Sequence, residues 1–237
     1  TRFVAFLKKA QVDYTCSWGT TSMGLIGMNT YGVQETNWGY RFIEKSAIDR
    51  NGYSSTADIG FGFSRNLTDQ LNLNLQIVNG EGYKKPQGDK YQKIAFNATY
   101  GERNLTKSDG FNAGLVYTTE QNVSDPSTMT SVFGGFAKMG IRLGVDYNLI
   151  SEDGIDGNLI SVTTNYGITE KLDGFVRYDM NDSNTTINNN GDNYLIVGAV
   201  FNCGSGLSVA PNMRMTTYED DVIDSLSECK INFQFKF

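Results

Sequence analysis

Apolar and polar side chains alternate through this chain almost from end to end. In QLNLNLQIVNG (70–80), Leu71, Leu73, Leu75 and Ile77 alternate with Asn72, Asn74 and Gln76. In GIRLGVDYNLI (140–150), Ile141, Leu143, Val145, Tyr147 and Leu149 alternate with Arg142, Gly144, Asp146 and Asn148. A period of two places such residues on opposite faces of an extended strand. The pattern predicts about thirteen strands, near 3–14, 21–30, 55–65, 70–80, 90–101, 111–121, 130–138, 140–150, 158–168, 173–182, 193–203, 207–218 and 227–237. Runs 21–30 and 130–138 are ambiguous in phase, because glycine and small residues interrupt them. Helical periodicity is confined to NWGYRFIEKSAID (37–49), inside the longest segment without a strand pattern, 31–54.

The connectors fall into two kinds. SWGT, RNLTD, KMG, EKLDG and CGSG are tight, with RNLTKSDG (103–110) a longer member of the same side. Segments 31–54, 81–89, 121–129, 151–158, 181–193 and 218–225 are longer and polar. The two kinds alternate along the chain, as the periplasmic turns and external loops of an up-and-down membrane barrel do.

The polar face then decides between a soluble core and a lipid-facing wall. Arg142, Asp146, Arg177, Asp179, Asn212, Arg214, Lys230 and Lys236 all stand opposite the apolar stripe. A barrel of about thirteen strands is too wide to fill with side chains and encloses water. Apolar residues out and polar residues in is therefore the expected arrangement. Tyr14, Tyr100, Tyr117, Tyr147, Tyr166, Phe201 and Phe237 lie near run ends, where interfacial aromatic girdles belong. The expected fold is all-β, a transmembrane antiparallel up-and-down β-barrel spanning 1–237 as one domain in a bacterial outer membrane. Single-chain barrels normally carry an even strand number with both ends periplasmic, so about 14–16 strands are expected in the intact barrel, with N-terminal strands missing here.

Composition narrows the function. Apolar residues make up 39% of the 237 residues, mean hydropathy is −0.35, and no stretch reaches the roughly 18 apolar residues of a membrane helix. That test is blind to barrel strands. Net charge is −6 without a basic run, which argues against nucleic acid as a partner. The chain contains 0 histidines. This removes Ser-His-Asp and Cys-His catalysis and His-ligated metals, so neither an enzyme nor a cofactor is expected. Cys16, Cys203 and Cys229 are odd in number and widely spaced; they leave room for one disulfide and read better as three apolar thiols.

The candidate chemistry is that of a pore. Segment 31–54 carries Arg41, Lys45 and Arg50 beside Glu35, Glu44 and Asp49. Either it folds inward and its charges bias permeant ions, or it is an external loop whose charges are solvated. Arg142, Arg177, Arg214, Lys230 and Lys236 would form a basic track along the lumen, unless Asp146 and Asp179 pair with the arginines across strands, the commoner outcome. SEDGIDGN (151–158) loosely matches a calcium loop, but its Asp-Gly steps are better explained as turn chemistry.

Two resemblances add to this reading. KINFQFKF (230–237), with Ile231, Phe233, Phe235 and Phe237 on one face, resembles the closing strand of Gram-negative outer-membrane proteins, the segment read by the barrel-assembly machinery. FLKKAQVDY (6–14), MGLIGMNTYG (23–32), NWGYRFIEKSAIDRNGYSSTADIGFGF (37–63) and the following VNGEGY resemble the phosphate-selective porin O/P-like family, whose strand reading K-A-x-x-D precedes a WGYR…EK…DR…SADLG segment. That resemblance implies a barrel of about 16 strands, often trimeric, passing small anions or other hydrophilic solutes. About three N-terminal strands would then be absent, which restores even parity. The chain departs from the family's basic lumen ladder in being acidic, with Arg and Asp interleaved. The expected function is a passive porin, with lipid and lipopolysaccharide around it and a homotrimer as a possible assembly. The alternatives are an adhesive barrel with ligand-binding loops and a soluble β-barrel carrier.

Overall fold

A computed structural model describes residues 5–121 and 125–237. The start of the expected run 3–14 and part of the expected connector 121–129 lie outside the described residues. The strands are β1 (Ala10–Cys16), β2 (Gly19–Gly27), β3 (Ala57–Asn66), β4 (Leu71–Val78), β5 (Lys93–Gly101), β6 (Gly110–Glu120), β7 (Ser127–Lys138), β8 (Ile141–Glu152), β9 (Ile155–Thr169), β10 (Leu172–Asp182), β11 (Asp192–Gly204), β12 (Leu207–Tyr218) and β13 (Leu226–Phe235). Helices α1 (Gly32–Trp38) and α2 (Ala47–Arg50) both lie between β2 and β3. All strands join one 13-stranded sheet in chain order, with β1 and β13 as its edges. Every neighbouring pair is antiparallel, so the chain runs up and down throughout.

Burial is inverted relative to a soluble barrel. On the outer face Ile77, Leu115, Val145, Val162, Val176 and Val197 are 41% to 50% exposed. On the inner face Asn148, Ser161 and Asp179 are 0%, 2% and 0% exposed. Water-covered apolar bands of this kind do not persist on soluble proteins. A hydrocarbon surround makes them the favourable face.

The short-turn ends of β3, β5, β6, β7, β9, β11 and β13 carry outward aromatics: Phe63, Tyr100, Phe111, Phe136, Tyr166, Phe201 and Phe235. The Tyr100 and Phe111 rings lie 6.0 Å apart. Tyr147, expected near a strand end, sits mid-strand instead. The reason is the expected loop 151–158: it is strand up to a two-residue turn at Asp153–Gly154, so β8 continues past Tyr147 to Glu152. Both turn residues have positive φ (52° and 77°), the geometry of a type I′ hairpin. The helix expected over 37–49 also divides. α1 stops at Trp38 because Gly39 turns left-handed (φ 77°) and its N–H caps Glu35 O. α2 is a single turn capped by the Ser46 side chain.

Replacing Val145 by Arg should lower the unfolding free energy in lipid vesicles by about 2–4 kcal/mol. Val145→Leu should leave it within about 0.5 kcal/mol. Urea titration of both variants checks the direction in which this face points.

Candidate functional site

The connector between β2 and β3, residues 28–56, does not project from the sheet. It folds back across the concave face, with α1 packed on β7, β8 and β9 and α2 on β9. Two apolar clusters hold it there. Tyr31, Ala47 and Ile48 meet Val116, Met129, Phe133, Ile150 and Leu159. Trp38 and Ile43 meet Phe175, Tyr194, Ile196, Val200 and Ala210. Trp38 and Ile48 are each 1% exposed, and burial on that scale stabilises by about 1.5–3 kcal/mol per large apolar side chain. The wall residues in these clusters occupy inward positions that are polar elsewhere in the barrel.

Asn37 locks the register of α1. Its amide exchanges two hydrogen bonds with that of Asn112, each 2.9 Å. It reaches that depth because Gly135 and Gly144 face each other on β7 and β8. A Cβ on Gly135 would come within 2.5 Å of the Asn37 amide, and one on Gly144 within 3.0 Å of Asn37 Cβ.

The irregular stretch between α1 and α2 leaves backbone carbonyls without helical partners, and the wall supplies donors to them. Arg142 donates through Nε to Asn37 O (2.9 Å) and through Nη2 to Trp38 O (3.3 Å). Arg177 donates through Nη1 to Lys45 O, while its Nε and Nη2 hold Asp179 at 2.8 and 2.6 Å. Arg214 donates to Ile43 O (2.6 Å) and bridges Glu44 (2.5 Å). Asn232 Nδ2 donates to Phe42 O (3.1 Å). Arg177 is 1% and Arg214 7% exposed.

The expected basic track is thus not open to water along the wall. Arg142, Arg177 and Arg214 face inward, but a loop lies on them. Asp179 pairs with Arg177 along one strand rather than across strands, since residues two apart share a face and the long guanidinium arm spans the gap. Asp146 is buried and accepts from Asn148 (2.9 Å). Lys230 bridges Glu228 on the edge strand (2.8 Å). Arg50 lies over the Tyr194 ring at 3.8 Å and near Asp192, turned to the wall. Among the loop charges, Arg41 bridges Glu35 and Asp49, and Lys45 stands 3.5 Å from Asp49 with its side chain 52% exposed. Burial pushes the Glu35 carboxyl above its ordinary value, outweighing the pull of Arg41. Burial also drives the phenols of Tyr31 and Tyr40 far above theirs, so both stay neutral.

Two adjoining cavities of about 300 Å3 each open above the loop and share Ser54, Ser55 and Lys85. Among the described residues no group of three or more metal-binding side chains forms, and Cys16, Cys203 and Cys229 are free and exposed.

No family model and no curated protein matches the chain. Solved structures do. An outer-membrane OmpT of Vibrio cholerae superposes with a TM-score of 0.69 at 13% identity, over 96% of this chain and 80% of that one. OmpF of Salmonella typhi, solved with daunomycin, gives 0.72 at 13% identity, over 92% and 74%. OccAB4 of Acinetobacter baumannii gives 0.53 at 11% identity, over 95% and 73%. The fold is that of a Gram-negative outer-membrane barrel, and it places the chain in that membrane.

Gly135→Val should leave the barrel folded and heat-modifiable while evicting Asn37. Tryptic cleavage after Arg41 or Lys45 in the lumen loop should then be about tenfold faster or more than in the unaltered protein.

Proposed function

We propose that this chain forms a water-filled channel for passive diffusion of small hydrophilic solutes, with loop 28–56 as its constriction and no covalent chemistry. The observation that carries this is the loop itself. It is fixed inside the sheet by Arg142, Arg177 and Arg214, and it turns Glu35, Arg41, Lys45 and Asp49 toward the remaining water. A lumen that narrows around a few fixed charges selects by width and by local field. The porin O/P-type resemblance of residues 6–83 speaks for anions such as phosphate. The balance of two acids and two bases at the loop surface speaks for a weak preference. One solved neighbour in a trimer form supports a homotrimer. Lipopolysaccharide and the barrel-assembly machinery, the latter through the strand ending at Phe237, are the partners such a barrel would meet.

Stepwise conductance in planar bilayers is the expected result. Lys45→Glu should shift the permeability ratio toward cations by about two- to fivefold, the scale of one partly exposed charge. Acidification should act in the opposite sense. Burial raises the pH at which Glu35 takes up its proton, so its negative charge is lost as pH falls, the loop surface gains net positive charge, and the reversal potential should move toward anions as pH falls from neutral. A pH-independent reversal potential would remove Glu35 from the constriction.

A second reading, an adhesive barrel, draws on connector 219–225, where Val222 is 90% exposed among Glu219, Asp220 and Asp221. Silent bilayers with folded, heat-modifiable protein would favour it.

A further inference from the structure

The wall opposite the docked loop has a different chemistry. Below α1, toward the short-turn end, a cavity of about 310 Å3 opens between the helix and strands β4 and β5. It continues into a second of about 370 Å3 that reaches the turn between β1 and β2, and Asn72 and Arg103 line both. This path carries amides rather than ion pairs: Asn29, Asn72, Asn74 and Asn97 all border the upper cavity.

Several of these groups have capacity to spare. Asn72 donates to Ser64 and Asn66, and among the described residues its Oδ1 accepts from nothing. Asn74 Oδ1 accepts from Asn29 (2.9 Å), and among the described residues its Nδ2 has no partner. The exposed Arg103 guanidinium likewise has neither a hydrogen bond nor an ion pair among the described residues, although its backbone carbonyl accepts from Thr36. Asn29 Oδ1 is buried without a partner, a state that buried amides rarely keep. The cavity thus offers an acceptor at Asn72 and donors at Asn74 and Arg103.

We propose that this cavity is a transit site for an uncharged polyhydroxylated solute, a small sugar or polyol. A hydroxyl group donates and accepts at once and so matches a mixed amide set. Inorganic phosphate offers mainly acceptor oxygens and would set one against Asn72 Oδ1. The upper cavity's size lies at the small end of ligand sites, which run from about 300 to 1,000 Å3. Trp18 lines the lower cavity, but the upper one has no aromatic platform, so binding there rests on hydrogen bonds. That is the weak, releasable contact a conducting path requires.

The proposal rests on the channel reading, and two measurements separate their failures. In bilayers, maltose should reduce single-channel current in a saturable way, and a polyethylene glycol of equal hydrodynamic radius should not. Arg103→Met, which breaks no side-chain hydrogen bond or ion pair among the described residues, and Asn74→Ala should each weaken the block by about three- to tenfold, the worth of one hydrogen bond to the ligand. Equal block by the polyethylene glycol, equal or tighter block by inorganic phosphate, or unchanged maltose block in both variants would overturn the site. Saturation-transfer NMR of maltose on detergent-folded protein reads binding without conduction. Transfer that is lost in Arg103→Met supports the site even if bilayers are silent, a result that would sink the channel reading alone. Absence of transfer to the unaltered protein overturns the site.

Discussion

A backbone inside hydrocarbon has no water to bond, so every strand N–H and C=O must find a neighbouring strand. The rest of this molecule follows from that constraint. It demands long antiparallel ladders, and the 13-stranded sheet supplies them in chain order. It gives each strand one apolar face and frees the other for water. The same accounting governs the loop that enters the lumen. Where residues 39–46 leave helical geometry, their carbonyls need donors, and Arg177, Arg214 and Asn232 provide them from the wall. The guanidinium suits this task because its donors fan out in a plane and one group can serve an acid and a carbonyl together, as Arg177 does with Asp179 and Lys45.

This use of charge moves the electrostatics of the lumen. The wall cations sit under the loop, partnered by Asp179 and Glu44. The loop carries its own charges, Arg41, Lys45, Glu35 and Asp49, paired with one another. The wall at β4 and β5 is left with amides. Position and charge are thus divided between two parts of the chain: the wall arginines hold the loop, and the loop carries the charges that are not buried beneath it.

Much of the barrel was readable from alternation. QLNLNLQIV and GIRLGVDYNLI have one lipid face and one polar face, and β4 and β8 present them that way. Alternation is a local property, and strands satisfy it locally. Less readable were the features set by distant partners. That Arg142 would serve the carbonyls of Asn37 and Trp38 depends on a contact more than a hundred positions away along the chain. The turn at Asp153–Gly154 was hidden in a polar stretch that looked long, because polarity does not distinguish a loop from the tip of an extended hairpin. A signal for the docked loop was present: Phe133, Leu159, Phe175, Ile196 and Val200 interrupt the polar face. Phe133 falls in the run whose phase was ambiguous, and an apolar inward residue in a water-filled lumen marks something that covers it.

The facing glycines at 135 and 144 and the apolar patch around them bear on how the barrel is put together. Without the loop, β7 to β12 would line the lumen with a hydrophobic surface and a notch bare of side chains. Without that wall, the loop would be a short helix and a single turn with several carbonyls unmet. Each half covers what the other would leave bare: the loop takes the apolar patch out of water, and the wall meets the loop's carbonyls. Loop and wall are in this sense two parts of one core, and the depth at which they meet is set by a pair of residues with no side chains.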